Sequence, residues 1–198
     1  MKTVALAVLI PVAICTGYAL QESFAGEAPA RGGVAGNAPA AANAPVAPRS
    51  SATASLTSAQ GHSVKGNLTL TNEGTAVTIR GEVTGLEPGK EHGFHVHENG
   101  QCNAPDFQSA GEHFNPTKDQ HGDPKSNARH LGDIPNLKAD KDGRATIDIS
   151  LKGATLVDKD GGPNEILGKA LIVHAMPDDY KTQPSGGSGA RIACGVIR

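Results

Sequence analysis

Two imidazoles open the chemistry of this chain. In Gly93-Phe94-His95-Val96-His97 a strand would send His95 and His97 to one face and Phe94 and Val96 to the other. Phe94 and Val96 can then enter a core while two nitrogen ligands stand side by side on a rigid support. Further along, His113, His121, His130 and Asp133 place three imidazoles and a carboxylate within one stretch. That is a complete tetrahedral donor set for zinc. His174 ends the apolar run Leu171-Ile172-Val173 and is available to join His95 and His97. A site of imidazoles alone suits copper, among other metals, and copper changes oxidation state where zinc cannot. The ligand count therefore points to two metals. His62 and His92 fit a turn and a strand entrance and need no metal.

These residues need a scaffold. Leu68 and Leu70 alternate with polar neighbours, as do Val77, Ile79 and Val83 (opposite Thr78, Arg80 and Glu82) and Ala145, Ile147 and Ile149. Period two means half-buried strands. Turn signals at Asn72-Glu73-Gly74, Pro88-Gly89 and Asp140-Lys141-Asp142-Gly143 separate the runs. The last lacks EF-hand spacing and reads as a hairpin turn. With 25 Gly, 13 Pro, no Trp and 3% aromatics, the core must be built from Val, Leu, Ile and Ala between many turns. The expected class is all-β, a sandwich or barrel of short antiparallel strands. Two stretches lack alternation: Gly100 to about Pro135, which holds most of the ligands, and roughly Met176 to Gly189, which carries Asp178 and Asp179. Long loops in a compact domain are usually functional.

The remaining chain sets the context. Lys2 followed by an apolar run to about Cys15, too short to span a bilayer, reads as a secretory signal over residues 1–25, ending at Ser23-Phe24-Ala25. Cys15 is alternatively a lipidation site, which would tether the protein to a membrane. Residues 26–50, rich in Ala, Pro, Gly and Asn, cannot bury enough apolar surface to fold and form a linker. The folded domain spans 51–198. Export leaves Cys102 and Cys194, an even pair that favours a disulfide in an oxidising compartment, two free buried thiols being the alternative. The net charge of −2 argues against a nucleic-acid partner.

Together, GFHVHENG, GEHFNP, the spacing of His121, His130 and Asp133, LIVH and GARIACGVI resemble the copper/zinc superoxide dismutases over the stretch from Ser51 to the end. The resemblance implies a Greek-key β-sandwich, or flattened eight-stranded barrel, with two long functional loops. It implies one copper and one zinc ion per subunit. His95, His97, His113 and His174 would hold copper, and His113, His121, His130 and Asp133 zinc, with His113 shared. Asp178 would orient His95 and His121 from behind, and Arg191 would dock superoxide by a charge-assisted hydrogen bond. Cys102 and Cys194 match the family disulfide. The implied reaction is dismutation of superoxide to dioxygen and hydrogen peroxide by Cu(II)/Cu(I) cycling, with His113 and Arg191 as catalytic residues. The expected location is periplasmic or secreted, with a possible homodimer. The second loop is poor in cations, so Lys118, Lys125 and Lys181 are the candidates for guiding the anion besides Arg191. A metal-buffering or copper-delivery protein on the same fold is the rival, but it would need neither Arg191 nor the full zinc set. A copper-only relative should lack the zinc ligands, and none is missing.

Overall fold

The computed structural model describes residues 51–157 and 162–198. The signal, the Ala25 cleavage site, Cys15 and the linker expected over 26–50 lie outside the described residues.

Alternation becomes strand as expected. Strands β1 (Ser51–Ser58), β2 (Lys65–Glu73), β3 (Ala76–Thr84) and β7 (Ala145–Lys152) pair antiparallel in sequence-near order. Beyond β1 the sheet continues through β9 (Arg191–Val196), β8 (Ala170–His174) and β5 (Phe94–His97), giving seven strands in the order β5-β8-β9-β1-β2-β3-β7. A separate ribbon pairs β4 (Glu91–His92) with β6 (Leu137–Lys138). Counting β4 and β5 as one strand broken at Gly93, the strand number among the described residues is the expected eight. A single 3-10 turn, Gln108–Ala110, is the one helical element among the described residues. At Asp140–Gly143 the chain turns as expected, and the Asp140 carboxylate accepts the Asp142 and Arg144 N–H groups.

One strand position departs from the alternation. Thr78, expected opposite the core, is buried. It lies between Thr71 and Ser150 on the neighbouring strands, and its hydroxyl bonds Glu73. Polar cross-strand neighbours cover it as well as apolar ones would.

The core is aliphatic, with Leu68, Leu70, Ile79, Ile147, Leu171 and Val173 around Phe94 and Val96. Strand β8 is buried along its whole length because both its faces are covered. Leu171 and Val173 enter the main core. Ala170 and Ile172 meet Ala59, Phe107, Ala110 and Cys194 in a second, smaller cluster. A fully apolar strand is what two-sided burial requires.

Cys102 and Cys194 are joined by a disulfide with Cα atoms 5.6 Å apart, closing a separation of 92 residues. It fastens the first long loop to β9, three residues beyond Arg191. Loop-closure entropy for such a span corresponds to about 4–5 kcal/mol. The expected result is that Cys102→Ser lowers unfolding stability by up to that amount, measured by denaturant unfolding of the metal-free protein. A midpoint equal to that of the parent would show the cross-link to be neutral.

Candidate metal centre

Strand β5 is the platform. Phe94 and Val96 are in the core, and His95 and His97 face the other way, both buried. The free edge of β5 is covered by the first long loop rather than by another strand. The Val96 N–H donates to Gly132 O at 3.0 Å, the Phe114 N–H to Val96 O at 2.8 Å and the Glu98 N–H to Glu112 O at 3.0 Å. This pairing sets His113 opposite His97 and Asp133 opposite His95 along the backbone. Covering the edge and delivering the ligands are thus one act. On the other side β8 pairs with β5, and an irregularity between Val173 and His174 sets His174 opposite Arg191 of β9. Such irregularities re-aim side chains at strand ends.

Two ligand groups result. One ligand atom each from His95, His97, His113 and His174 lie within 4.8 Å of one another, and so do atoms from His113, His121, His130 and Asp133. All seven residues are buried. His113 is the member common to both groups. Its Nδ1 faces Asp133 Oδ1 at 2.9 Å, while its Nε2 is buried without a partner.

The outer hydrogen bonds test whether metals fit. The His97 Nδ1–H donates to Gly111 O at 2.9 Å and the His174 Nδ1–H to Gly189 O at 3.3 Å, which leaves a lone pair on each Nε2. Those two Nε2 atoms sit 3.4 Å apart, facing each other. The His95 Nε2–H donates to Asp178 Oδ2 at 2.8 Å and leaves its buried Nδ1 with no partner. The His121 Nε2–H donates to Asp178 Oδ1 at 2.9 Å, and its Nδ1 turns to Asp133 Oδ1 at 3.0 Å. The His130 Nδ1 lies 3.4 Å from the same oxygen. Inward lone pairs that face each other, and buried nitrogens without partners, are costly in a bare protein and are what a cation would satisfy. The residues present fit one ion in each group.

Electrostatics agree for His95, His97 and His174. Burial pushes His95 down to about 4, against the pull of Asp178. Burial, and then the neighbouring imidazoles, hold His97 and His174 well below the usual histidine value. All three are therefore neutral near pH 7, the form that donates a lone pair to a metal. His121 is opposed by burial, yet its bonds to Asp133 and Asp178 raise it to about 9. Burial would raise Asp133 and Asp178, but hydrogen bonds from the surrounding imidazoles outweigh it and hold both carboxyls well below their usual range.

Asp178 accepts from both groups, one carboxylate oxygen on the outer nitrogen of His95 and the other on that of His121. Its approach depends on Gly186, in the left-handed region at φ 66°, where any Cβ would collide with that carboxylate. Arg191 is half-buried, donating through Nη1 to Phe107 O at 2.8 Å and through Nη2 to Gly111 O at 2.6 Å. The Gly111 carbonyl therefore serves both Arg191 and His97.

Two supporting residues escape sequence reasoning. The Asn136 side chain grips the main chain of Asp178 from both sides, donating to its C=O at 2.9 Å and accepting its N–H at 2.9 Å. His92 is buried and donates from Nδ1 to His174 O at 2.9 Å. Its position next to Gly93 marked a strand entrance but gave no partner, because the partner is 82 residues away. Of the candidate guiding lysines, Lys118 is exposed in the first loop, Lys125 lines a cavity with Glu91 and Tyr180, and the Lys181 backbone N–H donates to Asp179. Two carboxylates, Glu112 and Asp106, bear on Arg191.

A family model described as copper/zinc superoxide dismutase matches residues 64–197. Superoxide dismutase [Cu-Zn] 1 of Aquifex aeolicus is 43% identical over 137 residues, 68% of this chain and 79% of that protein. An extracellular superoxide dismutase [Cu-Zn] of Brugia pahangi is 42% identical over 149 residues, 69% of this chain and 72% of the relative. Among solved structures, a SOD-like protein from Bacillus subtilis superposes with a TM-score of 0.65 at 37% identity, over 75% of this chain and 98% of that one.

Proposed function

From the premise that this chain belongs to the copper/zinc superoxide dismutase family, we propose how its residues divide the work. The reaction is the conversion of two superoxide anions and two protons to dioxygen and hydrogen peroxide, and the cofactors are copper and zinc. Copper, when bound, accepts and returns one electron in alternation, while zinc supplies a fixed positive charge.

His95, His97, His113 and His174 hold copper, and His113, His121, His130 and Asp133 hold zinc. The reading is supported by the two converging groups and by the outer hydrogen bonds that leave their lone pairs inward. Arg191 binds the substrate anion beside His174, with two carbonyls fixing its guanidinium. His113 Nε2 takes up a proton in one half-reaction and gives it to the nascent peroxide in the other. Its Nδ1 stays committed to the Asp133 side throughout, so the ring keeps its place. Asp178 keeps the proton on the outer nitrogens of His95 and His121, which fixes both tautomers.

The observation that carries this assignment is that one buried ring, His113, belongs to both groups. The test replaces zinc by cobalt in the copper-loaded protein. Magnetic coupling between the two centres, together with superoxide consumption by the copper/zinc form, is the expected outcome. Fully loaded protein with uncoupled centres would sink the shared-ring assignment.

We also infer export to the periplasm or the medium. This is supported by the apolar N-terminal run, the cystine, and a relative named as extracellular. Among the described residues no helix is long and apolar enough to cross a membrane. The N-terminal mass of the mature protein separates cleavage after Ala25 from a lipidated Cys15, and sedimentation reads whether two copies pair into the homodimer this proposal includes.

A further inference from the structure

We propose that Glu112 and Asp106 restrain anion capture at Arg191, so that these two carboxylates help set the rate of substrate uptake. The inference rests on the reading of Arg191 as the docking cation.

The segment that holds the guanidinium is also the segment that opposes it. Arg191 Nη1 donates to the carbonyl of Phe107, the neighbour of Asp106, and Nη2 to the carbonyl of Gly111, the neighbour of Glu112. Both carboxylates are exposed and chain-adjacent to these anchoring points. Glu112 lines a cavity of about 240 Å³ with Glu98, Asn115, Pro184, His113 and His130, so it stands at an opening onto the shared ring. That lining holds two carboxylates and neither lysine nor arginine. Burial lowers the Arg191 pKa, and Glu112 and Asp106 act against that lowering, so their fields reach the guanidinium.

The sign follows from Coulomb's law. A negative charge beside a cation cancels part of the attraction that the cation offers an approaching anion. For exposed charges within about 10 Å, each such carboxylate costs an incoming monoanion about a two- to threefold lowering of local concentration in low salt. Neither carboxylate belongs to a ligand group, and metal content shows whether the donors stay in place in each variant. Asn at position 106 keeps the oxygen that accepts the Gln108 N–H.

The test compares E112Q, D106N and the double variant in the copper- and zinc-loaded protein, with R191A alongside. Metal content is checked in each. Two quantities are read: kcat/KM for superoxide against ionic strength, and the Kd for azide from optical titration of the copper band. The double variant should gain about fivefold in kcat/KM at low salt, bind azide tighter by a similar factor, and lose that gain as salt is added. Equal metal content with unchanged kcat/KM and unchanged azide affinity would overturn the restraint. R191A distinguishes the two layers. If it weakens azide binding and slows uptake while the carboxamide variants do nothing, only the restraint fails. If R191A itself changes neither quantity, the docking role fails with it.

Discussion

His97→Ala should abolish copper binding and lower superoxide consumption on the order of a thousandfold or more, while zinc content stays at one ion per chain. His97 belongs to one ligand group only. Its strand neighbours Val96 and Phe94 remain in the core, so β5 still forms. Three imidazoles would be left, without the Nε2 that faces His174. Elemental analysis and a superoxide assay on the purified variant check this directly. Copper retained at full stoichiometry would remove His97 from the ligand set. Joint loss of zinc would show that the two groups are less separable than their geometry implies.

Asp133→Ala should remove zinc and destabilise the first loop. One oxygen of Asp133 meets His113 at 2.9 Å, His121 at 3.0 Å and His130 at 3.4 Å. The other accepts the backbone N–H of Gly122 at 3.1 Å and of His130 at 2.9 Å. No other carboxylate among the described residues gathers so many partners in so little solvent. Removing one member of a buried ionic cluster typically costs about 3–5 kcal/mol, because the remaining groups are left buried and uncompensated. The measurements are zinc content and the thermal midpoint with and without added zinc. A variant that holds zinc as the parent does, or melts at the parent temperature, would place the fourth donor elsewhere.

Much of this was legible in the residues because chemistry and periodicity coincide. His95 and His97 declare themselves by alternating with Phe94 and Val96, and the strand that alternation implies is the one that forms. His113, His121, His130 and Asp133 are local enough in sequence to be read as one set, and the folded chain brings them together with no member missing. Position in space was harder to read where it depends on distant main chain. Nothing in Asn136 or Gly111 predicts that one clamps Asp178 and the other lends its carbonyl to two side chains. Those roles belong to backbone atoms and to loop paths, which carry no compositional signature. Charge sign could be counted along the chain, but its address could not: that Glu112 and Asp106 are the carboxylates whose fields reach Arg191 follows from the folded loop alone. Thr78 shows a third limit, since period two assigns a face but not how deeply its neighbours cover that face.

The stretch from Cys102 to His113 is pinned at both ends and twice between. A cystine holds its start, a ring that belongs to both ligand groups holds its finish, and the carbonyls of Phe107 and Gly111 grip a side chain from another strand. Its length is therefore a gauge block: adding or deleting one amino acid would move either the guanidinium or the paired sites out of alignment. Engineers seeking a place to graft a peptide or a label should leave this span alone.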